Sequence, residues 1–351
     1  MTTQSPPGDL AGTDDPAGGI SAPIGTRYIR TDTGDSYLKI GPLDTDWGLV
    51  AIDPAGTGSI IYGSGQDGVA DFDGANTFTY ASKLGSVYTV LRDLFLAGPS
   101  FVRPGVTLVT GGYRIFCNGT LTVGVGGIIH NDGKAAALNV AGGASLTGTL
   151  GVGTNGGTGH VGVGAGTAGG NQLAANTLGD ATASGGAGGA GGADAGGAGG
   201  TYVPNAGNGG SNFLAPMQTG YLFTQGTGGN FAVISPIGGG AGGGGGGSDN
   251  AGVNGGGGGG GGGVLMLHVY NLINNGTIRS NGGVGGNAAG GGGNGGGGGG
   301  GGGGVILSLA ARRSGTGAYQ TNGGTGGTAI GAGVVGATGN AGHQNLFYGG
   351  A

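Results

Sequence analysis

The chain has 351 residues, 106 of them glycine, and a net charge of −5 from 11 basic and 16 acidic side chains. It has no basic stripe to follow a phosphate backbone, and Asp180, Asp194 and Asp249 are the only fully charged residues between Lys134 and Arg279, so nucleic-acid binding is not expected. Glutamate is absent, lysine is confined to Lys39, Lys83 and Lys134, and glycine costs about 1 kcal/mol per residue in a helix, so helix should be scarce.

The opening Met1-Thr2-Thr3-Gln4-Ser5-Pro6-Pro7 has neither the basic nor the apolar part of a signal peptide, and no apolar run reaches membrane-spanning length. Residues 1–23 are Pro, Gly, Ser, Thr and Asp with few large apolar groups, and read as an extended anchoring arm. Residues 24–64 form a β-hairpin module. Arg27 to Gly41 alternates around Thr33-Gly34-Asp35, and Asp44-Thr45-Asp46-Trp47-Gly48-Leu49-Val50 returns as a third strand. Three short strands bury too little to stand alone, so pairing with other copies is expected.

Residues 65–134 carry the most ordinary side chains. Short apolar runs (Tyr88 to Phe95, Val106 to Val109, Tyr113 to Cys117, Leu121 to Val125, Ile128-Ile129) alternate with turn signals such as Pro104-Gly105 and Asp132-Gly133. This predicts a stack of short strands, either a sandwich or a β-solenoid. Two echoes favour the solenoid: Asn118-Gly119-Thr120-Leu121 against Asn275-Gly276-Thr277-Ile278, and glycine run plus apolar strand at Val264 and again at Val305, 41 residues on.

Residues 135–351 are the glycine-rich region. Gly255 to Gly263 and Gly295 to Gly304 are unbroken, whereas Gly185 to Ala193, Gly282 to Asn287 and Gly323 to Thr328 repeat as Gly-Gly-X. Collagen needs more proline than the 11 present. The physical match is a polyglycine type II helix, a left-handed three-residue turn rising about 3.1 Å per residue, so that nine glycines span about 28 Å. It has no internal hydrogen bonds and must satisfy its backbone on neighbours. All-glycine runs can be surrounded, and Gly-Gly-X runs belong at a margin. The fold class predicted is mostly β with very little helix: a short β-strand stack or β-solenoid followed by a glycine-rich bundle of polyglycine type II helices.

Tyr88-Thr89-Val90-Leu91-Arg92-Asp93, Gly105-Val106-Thr107-Leu108 and Gly111 to Leu121 resemble a module of glycine-rich bacteriophage tail and fibre proteins. Asp44 to Val50 is similar to a segment near the N-termini of phage virion proteins, and the glycine region resembles phage tip adhesins in which packed polyglycine helices hold up receptor-binding loops. The resemblance implies a non-enzymatic virion protein, made in the host cytoplasm and placed on tail or capsid. Its implied partners are other copies of itself as a trimer, other virion proteins through the arm, and a host surface glycan or protein.

The candidate contact residues interrupt the glycine pattern between Ser211 and Ile237: Phe213, Met217, Tyr221, Leu222, Phe223 and Phe231, joined by Phe347 and Tyr348 in the C-terminal Leu346-Phe347-Tyr348. Aromatics on a rigid scaffold suit recognition, and suit packing over the bundle's edge equally well. No metal or cofactor is expected: His130, His160, His268 and His343 are scattered, no Gly-Lys-Ser/Thr phosphate loop occurs, and Asp194 falls one place late for a calcium nonapeptide repeat. Asp71 and Asp73 imitate a glycosidase pair, in a sequence context that reads as loop. The alternatives left open are a structural lattice protein of the virion, an ice-binding or cell-surface glycine-rich protein, and a polysaccharide depolymerase.

Overall fold

A computed structural model describes residues 9–13, 20–24, 26–30, 36–39, 41–45, 47–51, 62–146, 148–174, 184–199, 202–204, 224–225, 234–235 and 239–348, and the protein is mostly β, with no α-helix among them. Strands β1 (Asp9–Gly12), β2 (Arg27–Arg30), β3 (Ser36–Lys39) and β4 (Trp47–Ala51) form one sheet in chain order. β1 lies parallel to β2, so part of the expected arm adds a strand to the antiparallel β2–β3–β4 module.

From residue 69 the chain alternates between two sheets. β5 (Val69–Phe72), β8 (Leu94–Val102) and β10 (Arg114–Val123) begin the first, while β6 (Ala81–Leu84), β7 (Val87–Val90), β9 (Thr107–Val109) and β11 (Ile128–His130) begin the second. After the antiparallel β6–β7 hairpin, successive passages are parallel: Leu94 pairs with Ile115 in the first sheet and Thr107 with Ile128 in the second, each a step of 21 residues. The long glycine-rich passage that follows holds β12 (Val161–Gly164), β13 (Gln172–Ala174), β14 (Tyr202–Pro204), β15 (Thr224–Gln225), β16 (Ile234–Ser235) and β17 (Ser248–Asn254). The winding then resumes with β18 (Val264–Asn274), β19 (Thr277–Arg279), the short β20 (Ala289–Gly290), β21 (Val305–Ser314), β22 (Ala318–Gln320) and β23 (His343–Tyr348). The completed sheets run β23-β21-β18-β10-β8-β5 and β22-β19-β11-β9-β7-β6.

Alternating inward side chains build one core between these sheets, including Tyr88, Leu94, Leu96, Leu108, Ile115, Ile129, Leu265, Leu267, Ile278 and Ile306, all fully buried. Each such aliphatic or aromatic group removed from water stabilises by about 1.5–3 kcal/mol. Strands from beyond residue 134 thus complete the sheets begun before it, and the core is shared. Val264 to Val269 are buried on both faces because Val264, Met266, Val305 and Leu307 form a second apolar cluster outside the first sheet, against Phe116 and Leu150. At one crossing only glycine fits: a Cβ on Gly98 would collide with the backbone of Gly119 and Thr120, where β10 shifts register between Cys117 and Thr120.

The 41-residue period is structural. Val264 pairs with Val305, and Thr277 with Ala318. The shorter echo is not: Thr277 pairs with Ile128, while Asn118-Gly119-Thr120 lies inside β10 at its register shift. The two Asn-Gly-Thr copies are locally alike and occupy different places, because one fits a strand irregularity and the other the turn from β18 to β19.

Glycine segments leave the second sheet and return to the first, bonded side by side with a three-residue step. Within Gly255–Gly263, the amides of Gly256, Gly259 and Gly262 donate to Gly296, Gly299 and Gly302. Those of Gly257, Gly260 and Gly263 donate to Leu138, Lys134 and Asn131, and those of Gly255, Gly258 and Gly261 to His160, Gly157 and Thr154. Its carbonyls accept from Gly240, Gly243 and Gly246, and also from Gly283 and Gly286. Burial follows the spelling. Gly239–Gly247, Gly255–Gly263 and Gly295–Gly304 are buried throughout, and in Gly282–Asn287 the four glycines are buried while Val284 and Asn287 are exposed. Gly333–Gly342 is spelled Gly-X-X and exposes both residues between its glycines.

Candidate functional site

The glycine segments have two unlike ends. At one, Gly263 and Gly304 pass directly into β18 and β21. At the other, turns gather: Gly255 donates to His160, Gly296 to Gly247, Gly191 and Asp194 exchange bonds, and Gly295 bridges both Ser248 and Ile330. Val161, Val163, Val334 and Val335 are exposed on or beside these turns. Asp249 ties the end together by accepting from the Asn294 backbone amide and side-chain nitrogen, each at 2.7 Å, and those bonds hold its carboxyl below the usual aspartate range.

Phe213, Met217, Tyr221, Phe223 and Phe231 lie outside the described residues. Their described flanks do not stand at the turn-bearing end. Gly199 packs beside Gly185, which lies against Gly242, while Gly239 donates to Val152 and Gly240 to Gly262, one residue from the sheet junction. Phe347 and Tyr348 are placed in β23, on opposite faces. Leu346 packs against the main core, so Phe347 points outward, in register with Leu309, and Tyr348 (63 % exposed) lies under the Arg313 guanidinium at 5.9 Å. The two cannot form one patch on the same face.

Outside the first sheet runs a feature that apolar-run counting overlooks. Phe95 stacks on Phe116 at 5.0 Å, Phe116 meets the His268 ring edge-on at 5.3 Å, and Leu309 and Phe347 continue the same cross-strand row. Tyr62 meets Tyr270 at 5.8 Å, with Arg312 over the Tyr270 ring. Burial, then the neighbouring Tyr270, pushes the Tyr62 hydroxyl pKa up. The signal for this row was the 21-residue spacing of Phe95 and Phe116.

The carboxylates that imitate a catalytic pair are engaged elsewhere. Asp71, on β5, receives Arg103 Nε at 2.7 Å and Nη2 at 2.8 Å. Asp73 accepts from the amides of Asn76 and Ala75, which lower its pKa, the opposite of what a general acid needs. Asp93 accepts from Arg114 through backbone and guanidinium and from Thr149 Oγ1 at 2.7 Å.

The four histidines stand apart. His130 accepts the Asp132 amide, and burial pushes its pKa down, with Asp132 opposing and Arg279 assisting. The His160 Nδ1 is buried without a partner, His268 packs on Phe116, and His343 bonds Asn345. Among the described residues no group of three or more metal-ligating side chains occurs, and no helix is long and apolar enough to cross a membrane. The chain matches no protein-family model, no curated protein and no solved structure.

Proposed function

We propose that the chain is a non-enzymatic bacteriophage virion protein, a tail-fibre or receptor-binding component whose parallel winding is a β-solenoid and whose glycine segments are packed polyglycine type II helices. The observation that carries this reading is the three-residue hydrogen-bond step of Gly255–Gly263, whose amides go to three different neighbours in rotation. A left-handed three-residue helix sends successive amides out at about 120° and produces that rotation, whereas an extended strand would produce a two-residue alternation.

Ordering each glycine costs on the order of 1–2 kcal/mol of backbone entropy, so the segments hold together only by satisfying one another. What results is a stiff body with turns at one end and the described flanks of the aromatic insert nearer the other, suited to holding contact residues away from an attachment site. Host contact is assigned to Tyr221, Phe223 and their neighbours, and attachment to residues 1–23. The second reading, a lattice protein coating capsid or tube, is favoured by the same interlocking backbone.

Labelling the chain in purified particles and counting copies separates the two. A few copies at the tail with host adsorption blocked by the free protein supports the fibre reading, and hundreds of copies over capsid or tube with no blocking supports the coat.

A further inference from the structure

One row of glycine segments is built by a rule that stops abruptly. In the first step the amides of Gly133 and Ala136 donate to the carbonyls of Asn281 and Val284, at 2.9 and 2.8 Å. In the second the amides of Gly282, Gly285 and Ala288 donate to Asn322, Thr325 and Thr328, each at 2.9 Å. The residue before each donor adds a side-chain rung where it can. Asp132 Oδ1 accepts the Asn281 amide at 2.7 Å, Asn281 Oδ1 the Asn322 amide at 2.8 Å, and Asn287 Oδ1 the Thr328 amide at 2.8 Å.

The third step has donors and no acceptors. Gly323, Gly326 and Ala329 occupy the places of Gly282, Gly285 and Ala288, and their amides find no acceptor among the described residues. Asn322 stands exposed where Asn281 and Asp132 stood before it, its Oδ1 unused, with Thr325 and Thr328 exposed beside it. The side is uncharged as well: from Gly315 to Ala351 the sequence has no Asp, Glu, Lys or Arg. The opposite edge of the winding is guarded, by Asp71 of β5 with Arg103 from the end of β8, and by Lys83 on β6. Charges of that kind normally keep an open backbone edge from pairing, and the 321–329 side lacks them.

We propose that the segment 321–329 is a self-association surface, occupied by the same segment of a second copy related by a twofold axis. Such an axis sets the two segments antiparallel, and antiparallel neighbours are accepted within this fold, where Gly240, Gly243 and Gly246 donate to Gly262, Gly259 and Gly256. Each copy then offers the amides of Gly323, Gly326 and Ala329 to the partner's Gly323 and Gly326 carbonyls, to which no amide among the described residues donates, an isologous exchange that neither copy can complete alone. Asn322 Oδ1 supplies a further acceptor in each direction. The proposal rests on the three-residue winding of the glycine segments described above.

The full chain is measured by sedimentation across a concentration series, with hydrogen exchange of the 321–329 peptide and thermal melting in parallel. Wild type is expected to be a dimer, in place of the trimer that the resemblance implies, and its 321–329 amides should gain protection as concentration rises. Thr325→Arg places a charge on the face from an already exposed position; it should halve the mass and remove the gained protection while melting stays near wild type. Ala187→Arg, an exposed position on another margin, should remain dimeric. Thr328→Lys serves as the second variant should Thr325→Arg fail to fold.

A monomeric or trimeric wild type, a dimer indifferent to both charges, or protection that does not depend on concentration overturns the proposal. The last outcome would mean that the chain's own residues cover the face. A wild type without cooperative melting at any concentration would instead strike the glycine-winding reading, and is distinguishable from a monomer that melts normally.

Discussion

Gly259 is the most constrained kind of residue in this protein. Its amide goes to Gly299, its carbonyl accepts from Gly243, and a Cβ built on it would fall against the carbonyl of Gly283. Gly259→Val should therefore separate three hydrogen-bonded segments and cost more than 3 kcal/mol, on the order of the largest single-residue effects. Ala187→Val, at an exposed position that already carries a Cβ, should stay within about 0.5 kcal/mol. Thermal melting of the two variants checks this, and equal tolerance would argue that the glycine runs are not packed.

Asp93 tests a different force at the same scale. Burial raises its pKa, but the bonds from the Arg114 side chain and backbone and from Thr149 outweigh that, and the net shift is downward. A carboxyl lowered on folding stabilises above its unfolded pKa, and that contribution fades as pH falls through the folded value. Asp93→Asn should lower stability near neutral pH by about 1–3 kcal/mol and flatten the loss of stability below about pH 4. A melting series from pH 2 to 7 that keeps the wild-type slope would exclude Asp93 as a source of acid sensitivity.

Elements were legible where composition and chemistry coincide. All-glycine against Gly-Gly-X separated buried from marginal segments, as Gly285 and Val284 illustrate, because a Cβ cannot enter a contact made of backbone. The 41-residue recurrence at Val264 and Val305 was visible for the same reason: each passage needs a glycine run and a strand in fixed proportion. Asn281 and Asn287 were not legible as ladder rungs, since an asparagine beside glycine reads as a turn, and its acceptor role depends on a segment 41 residues away. Asp71 and Asp73 looked alike in sequence and differ in fact, one held by an arginine from β8's end and the other closing a turn. Asn281→Ala should remove the rung to Asn322 and lower stability by about 1 kcal/mol, whereas Asn281→Asp keeps the acceptor and should melt near wild type. If both substitutions cost the same, the side-chain rung contributes nothing beyond water.

For the whole molecule, the proposed receptor-binding role requires that one end meet a host surface. The turn cluster near His160, Asp249 and Ile330 is built from backbone bridges and short side chains, with exposed valines and no lysine or arginine among its described residues. The inserted segment after Gly199 carries the large aromatics and is rooted near the sheet junction instead, through Gly239 and Gly240. Recognition energy concentrates in a few aromatic anchors, each worth about 2 kcal/mol or more where it is a hot spot, which is a loss of about 30-fold in affinity. Replacing Tyr221 and Phe223 with alanine should therefore weaken adsorption to cells at least 30-fold on that scale, while melting and sedimentation remain as in wild type. Charging the turn cluster through Val163→Lys and Val335→Lys should leave adsorption unchanged under this assignment. The opposite pattern, with adsorption lost on charging the turns and kept without the aromatics, would move host contact to the turn-bearing end and make the insert a packing segment over the sheet junction.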